Sequence, residues 1–150
     1  MPHTPLILAS SSPRRKALLA QIGIVPDRII PADIDEAEHS GELAHQYVER
    51  LAREKALKVA EANSGVFVLG SDTAVACGRR ILPKSEDEQT ARDCLELISG
   101  RSHRVYSGVA LVKPDGTVQS RIVETRVKVR VLDKHAIDEY ILSKEWDGKA

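Results

Sequence analysis

Apolar and polar positions alternate with two different periods along this chain, and the switches between them sketch its elements. The run Leu6-Ile7-Leu8-Ala9 reads as a short buried strand. Over residues 13–22 the spacing turns helical, with Ala17, Leu18 and Ile22 on one side and Gly23 at the C-terminal cap. Residues 28–30 predict a strand, followed by the acidic loop Asp33-Ile34-Asp35-Glu36 and a long helix over about 44–60. Val66-Phe67-Val68-Leu69 is a continuous apolar strand that residues 73–76 either extend or pair with. Gly78-Arg79-Arg80 turns the chain before Ile81-Leu82. A further helix is expected to open at Ser85, with Glu88 completing a capping box. Its apolar stripe is Ala91, Cys94, Leu95 and Ile98, and Gly100 ends it. The β pattern returns over 105–112 and 118–131, joined by the turn Pro114-Asp115-Gly116. Asp133 then caps a last helix reaching about residue 143. Elements in this order predict an α/β protein, a mixed sheet flanked by helices, with residues 1–150 forming one domain.

Composition narrows the class. Hydrophobic residues make up 42% and charged residues 29%, as in an ordinary globular protein. Lys plus Arg and Asp plus Glu each number 22, and this balance argues against nucleic acid as the partner. Aromatics at 3% leave few platforms for stacking bases. Cys77 and Cys94 lack the spacing of a zinc site, and the five histidines are scattered. The N-terminal apolar run is too short for a signal peptide or a membrane span, so a cytoplasmic location without a membrane partner is expected.

Several segments carry candidate chemistry. In Ser10-Ser11-Ser12-Pro13-Arg14-Arg15-Lys16, Ser12 suits an N-cap and Pro13 the first helical position. Three cations in a first helical turn oppose the helix dipole by ~0.3–1 kcal/mol each. A bound phosphate reverses that sign, because free amides, hydroxyls and guanidinium groups then converge on one anion. The plainer alternative is a solvated basic face. Asp72, directly after the apolar strand and between Ser71 and Thr73, lies where α/β folds build sites, though an Asx turn explains it equally well. Lys55 interrupts the stripe Val48, Leu51, Ala52, Ala56 and Val59, so it either snorkels outward or meets a buried anion. Asp35, Glu36 and Lys84 add carboxylates for Mg²⁺ and a cation for phosphate. Arg126, Lys128 and Arg130 alternate with valines as on any half-buried strand, and are read as an exposed face.

Taken together, these segments resemble the Maf family. The resemblance rests on Leu6 to Arg15 (Leu-Ile-Leu-Ala-Ser-x-Ser-Pro-Arg-Arg), Arg50 to Ala56 (Arg-Leu-Ala-x-x-Lys-Ala), Gly70-Ser71-Asp72-Thr73, Pro83-Lys84 and Ile98 to His103. It implies a mixed-sheet fold with a central cleft, of the kind shared with inosine triphosphate pyrophosphatases. It also implies hydrolysis of nucleoside triphosphates to monophosphate and pyrophosphate with Mg²⁺ or Mn²⁺, a homodimer, and a part in clearing modified nucleotides or restraining septum formation. By position, Asp72 matches the family's catalytic acid–base residue, Glu36 an acidic residue near the metal, and Ser10, Arg14, Arg15, Lys55 and Lys84 substrate-contacting residues. Ser12 joins the phosphate-binding turn. Arg14 and Thr73 resemble the dTTP/UTP branch. Family members continue from Lys149-Ala150 into Gly-x-Tyr-x-Ile-Gln-Gly, so the C-terminal part of the fold, with a substrate-selecting glutamine, is expected to be missing here. An unperturbed aspartate has a pKa of ~3.9 and a neighbouring cation lowers it, so Asp72 is expected to be a feeble base. Two other classes compete: a nucleotide-binding regulator of division without catalysis, and a nucleotidyltransferase. The second normally shows a glycine-rich N-terminal signature, which residues 10–16 lack.

Overall fold

The computed structural model describes residues 3–149. The elements follow in the order β1 (Leu6–Leu8), α1 (Pro13–Gln21), β2 (Arg28–Ile29), α2 (Ala44–Glu61), β3 (Phe67–Cys77), β4 (Arg80–Ile81), α3 (Glu88–Ile98), β5 (Ser102–Val112), β6 (Val118–Lys128) and α4 (Lys134–Ser143). A six-stranded sheet has the order β2-β1-β3-β5-β6, with β4 pairing β3. β1 runs parallel to both β2 and β3, whereas β4 is antiparallel to β3. The sheet is therefore mixed, as expected. Residues 73–76 extend the apolar strand into one long β3.

The chain divides into two compact units, and β3, β5 and β6 each pass from one into the other. The first unit holds the residues up to Asp72 and Ser107–Val123. Its core packs Ile7, Ala9 and Val68 of the parallel strands, with Ala110 and Val112 of β5, against Ala52, Ala56 and Val59 of α2. Val48 and Leu51 of α2 are fully buried, each contributing about 1.5–3 kcal/mol of apolar burial. Two glycines let this helix lie almost on the strands. A Cβ at Gly70 would meet the Ala52 carbonyl oxygen at 2.4 Å, and one at Gly108 the Val48 carbonyl oxygen at 2.4 Å. Only a residue without a side chain fits there.

The helix α1 behaves differently from its pattern. None of its residues is buried, and Leu18 and Ile22 are 59% and 70% exposed. Its apolar side faces solvent rather than a core.

The second unit holds Thr73–Tyr106 and the residues from Glu124 on. Its core joins Ala91 of α3 to Ile137 and Ile141 of α4 and to Trp146, whose Nε1–H donates to the Ile141 carbonyl at 2.9 Å. Arg92 pairs with Asp138 at 2.7 Å across the same helices. The helix start expected at Ser85 lies instead at Asp87, whose carboxylate accepts the Thr90 N–H at 2.7 Å. Ser85 is buried, and its backbone is engaged elsewhere. Its N–H donates to the Lys149 carbonyl at 2.8 Å and its carbonyl accepts the Gly148 N–H at 2.9 Å. Asp133 caps α4 as expected, accepting the Ala136 N–H at 2.8 Å. The strand β6 ends at Lys128, three residues short of the β pattern in the sequence, because the following backbone turns to α3's end. There the Val129 N–H donates to the Arg101 carbonyl at 2.9 Å and the Gly100 N–H to the Arg130 carbonyl at 3.1 Å.

Candidate active site

Strand alternation and helix periodicity bring the chemistry together in the first unit. Along the part of β3 in the first unit, Val68, Gly70 and Asp72 are the buried positions, so Asp72 continues the face on which α2 lies. Along α2, Lys55 lies beside Ala52, Ala56 and Val59, all in the core. The close approach permitted by Gly70 then sets Lys55 Nζ 2.8 Å from Asp72 Oδ1. The same ammonium reaches Glu36 Oε1 at 2.9 Å. The stripe-breaking lysine has therefore met an anion rather than snorkelled away. Both members of the Lys55–Asp72 pair are shielded, with side chains 12% and 10% exposed, whereas Glu36 is 54% exposed.

Burial and charge pull the Asp72 carboxyl in opposite directions. Desolvation raises its pKa, while the Lys55 hydrogen bond and the charges of Lys55 and Arg15 lower it. Desolvation is the larger effect, and the net shift is upward. The lowered pKa expected from neighbouring cations is thus reversed by burial, because Asp72 lies within β3 rather than in a turn after it, shielded beside α2. Tyr47, half-buried on α2, is pushed up to about 12 by burial and by the neighbouring charges of Asp72 and Glu36.

The turn between β1 and α1 forms the second part of the cluster. Ser10 is buried, and its Oγ accepts both the Ser12 N–H and Arg15 Nη1–H at 3.1 Å. With those lone pairs used, the Ser10 O–H is the group left to donate to a ligand. Arg15 is partly buried, and its pKa is lowered mainly by desolvation, against the opposing charges of Asp72 and Glu36. It thus belongs electrostatically with the two carboxylates. Ser12 has the N-cap position, but its side chain caps nothing, and no acidic residue occupies the first turn. Arg14 is exposed, and its charge adds to the lowering of Arg15.

Ser10 and Arg15 thus form one hydrogen-bonded pair and Lys55, Asp72 and Glu36 another group, with the charge of Arg15 acting on the carboxylates. Thr73 and Lys84 lie in the second unit and are exposed. His103, also there, is buried with its Nδ1 unpaired among the described residues, and desolvation lowers its pKa. Ala150, with which the expected continuation begins, lies outside the described residues.

Two further side chains touch the backbone around Glu36 without a signature in the sequence. The Tyr47 hydroxyl donates to the Glu36 carbonyl oxygen at 2.6 Å, and Arg50 Nη2 donates to the Ala37 carbonyl oxygen at 2.9 Å. Arg50 stands in a recognisable motif, but its partners are backbone atoms of an irregular segment, which leave no trace in residue types.

A family model described as Maf-like protein matches residues 5–150. The chain belongs to the Maf family. A relative from Rhodospirillum rubrum, named dTTP/UTP pyrophosphatase, is 54% identical over 146 residues, covering 97% of this chain and 70% of its own length. A relative of the same name from Caulobacter vibrioides is 52% identical over 145 residues, covering 97% of this chain and 75% of its own. Among solved structures, the Staphylococcus aureus Ham1 protein superposes with a TM-score of 0.56 at 14% identity, over 83% of this chain and 71% of that one. That likeness extends the α/β architecture beyond Maf proteins and speaks to the fold alone.

Proposed function

We propose that this Maf protein hydrolyses nucleoside triphosphates, with dTTP and UTP the preferred substrates, to the monophosphate and pyrophosphate. The observation that carries the reading is a buried Asp72 held by Lys55, with the charge of Arg15 acting on the same carboxylate. The names of the relatives supply the pyrimidine preference.

The chain's own groups divide the work. Asp72 Oδ1 is engaged by Lys55, leaving the second oxygen to accept a proton from the water that attacks the α-phosphorus. The bond from that phosphorus to the bridging oxygen breaks, and pyrophosphate leaves. Ser10 O–H, Arg15 and Lys55 donate to the phosphate oxygens as negative charge builds. A raised Asp72 pKa makes it a better base than an exposed aspartate.

A divalent cation, Mg²⁺ or Mn²⁺, fits the donor set in one way. Among the described residues no three His, Cys, Asp or Glu side chains converge as ligands. Two carboxylates, Glu36 and Asp72, are what Mg²⁺ commonly takes from a protein when phosphate oxygens and water complete its shell. The ion would supply charge neutralisation on the triphosphate. The reading places the enzyme in the cytoplasm; among the described residues no helix is long and apolar enough to cross a membrane. A homodimer is part of the same proposal.

The test is direct. With dTTP or UTP and Mg²⁺, pyrophosphate and monophosphate should appear in equal amounts without any acceptor. Asp72→Asn should lose ~10²–10⁴-fold in turnover while remaining folded. Release of orthophosphate instead, or a folded Asp72→Asn with parental turnover, would overturn the assignment.

A further inference from the structure

We propose that Arg50 and Tyr47 are positioning residues, which fix the segment carrying Glu36 so that its carboxylate reaches Lys55 and the metal–nucleotide complex. This rests on the pyrophosphatase reading and on Glu36 as a metal ligand.

Between β2 and α2, residues 30–43 contain no helix or strand. Within the segment, the Asp35 carboxylate accepts the Ala37 N–H at 3.0 Å across Glu36, an exposed local turn that fixes neither end to the rest of the fold. Glu36 is mostly exposed, and Lys55 is its ion-pair partner. The other ties that join this turn to the rest of the fold run through its backbone. Two successive carbonyls are held from α2, that of Glu36 by the Tyr47 hydroxyl and that of Ala37 by Arg50. The same guanidinium makes a fork to Glu42, at 2.7 Å from Nε to Oε2 and 2.8 Å from Nη2 to Oε1. Glu42 Oε1 in turn accepts the His39 N–H at 3.1 Å, which ties the far end of the segment to the same point.

The anchor is well shielded, with the Arg50 and Glu42 side chains 18% and 8% exposed. Arg50 also lies over the Tyr47 ring, 5.6 Å from its centroid. The fork holds the Glu42 carboxyl down at about 2, so the clamp stays charged wherever the enzyme can be assayed. One helix thus carries both Lys55, which receives Glu36, and the two residues that present it. A lysine at position 50 could supply the charge but not the planar fork.

The experiment has two arms. Arg50→Met should raise amide hydrogen exchange over residues 35–42 about tenfold, while α2 and β3 stay protected. It should also raise the Mg²⁺ concentration for half-maximal pyrophosphate release by roughly 10–100-fold at saturating nucleotide. Tyr47→Phe, losing one hydrogen bond, should raise it about fivefold, and Arg50→Lys should fall between. In a Glu36→Gln background, Arg50→Met should add nothing further to the metal requirement. If Arg50→Met does not fold, Glu42→Gln breaks the fork from the other side and gives the same readouts.

Unchanged exchange over 35–42, or an Arg50→Met effect on the metal requirement that persists in full without the Glu36 carboxylate, overturns the proposal. So does a loosened segment combined with a parental metal requirement in Glu36→Gln. That last result removes Glu36 from the metal set while leaving the pyrophosphatase reading intact. If the parent protein releases no pyrophosphate at all, it is that reading that fails, and the exchange arm still decides whether Arg50 fixes the segment.

Discussion

The helices α1 and α2 both bring cations to the candidate site, yet they are held in place by opposite means. α2 has 18 residues, six of them buried, and it presses on two glycines of the sheet. Its Lys55 is already bonded to two carboxylates. α1 has nine residues and none buried. Its first turn carries Pro13, Arg14, Arg15 and Lys16, with no acid to balance the dipole and no side-chain cap. One part of the site is assembled before substrate arrives. The other is arranged so that an anion improves it.

The largest test of this contrast is on the assembled side. Lys55→Met leaves Asp72 buried beside fewer cations, and removing one member of a shielded pair costs about 3–5 kcal/mol. Urea denaturation at neutral pH would measure the loss. The sign with pH follows from burial. A carboxyl whose folded pKa lies above its unfolded value of ~3.9 penalises the folded state when ionised. The penalty is complete above the folded pKa and vanishes as pH falls below the unfolded one. The deficit of Lys55→Met should therefore shrink on acidification, and adding Asp72→Asn should remove most of it. A loss under 1 kcal/mol would mean that water screens the pair. In the parent enzyme, the acidic limb of kcat/KM should lie above the ordinary aspartate range and disappear in Asp72→Asn.

Next in size is Gly70→Ala. Its new methyl would sit 2.4 Å from the Ala52 carbonyl oxygen and 2.8 Å from the Ala56 amide nitrogen, both backbone atoms that cannot swing aside. α2 must shift, at a cost of about 1–3 kcal/mol. Lys55 moves with the helix, so turnover should fall further than the folded fraction does. A variant with parental turnover per folded molecule would show that the Lys55–Asp72 distance tolerates such a shift. Gly116→Ala is the control: it is strained by its positive φ, but nothing lies within 4 Å of its added methyl.

Why these features differed in legibility from sequence is a matter of what each depends on. Element order, the mixed sheet and the Asp133 cap follow from local pattern and residue type, and they stand. The expected helix start at Ser85 failed because Ser85 and Asp87 offer similar local chemistry. The choice was made by Gly148 and Lys149, more than 60 positions away. Lys55 was visible as a flaw in an apolar stripe, but its partner was not. The pairing depends on Gly70 admitting the helix, and the upward shift of Asp72 depends on the resulting burial. The Arg50–Tyr47 clamp was wholly hidden, since it grips carbonyl oxygens that every residue type possesses. The apolar side of α1 shows the converse: a helical stripe in sequence records periodicity, not what covers it.

The smallest effect belongs to α1 and is the most discriminating. Removing a cation from an uncompensated first turn should leave stability unchanged or raise it by ~0.3–1 kcal/mol. Arg14→Ala, at an exposed position, should show this small gain or none in thermal denaturation without ligand. In the presence of dTTP and Ca²⁺, chosen to bind without supporting turnover, the same variant should lose ligand-induced stabilisation. Losing one charge-assisted contact to phosphate corresponds to about 1.5–3 kcal/mol of binding. Arg15→Ala should lose ligand-induced stabilisation similarly but start lower, because Arg15 already bonds Ser10. The opposite signs in one variant are the point: a residue that is neutral or unfavourable to the free fold, and favourable only with an anion present, is held for the anion. If Arg14→Ala destabilises the free protein and leaves ligand stabilisation intact, α1 is an ordinary structural helix and the phosphate must be bound elsewhere.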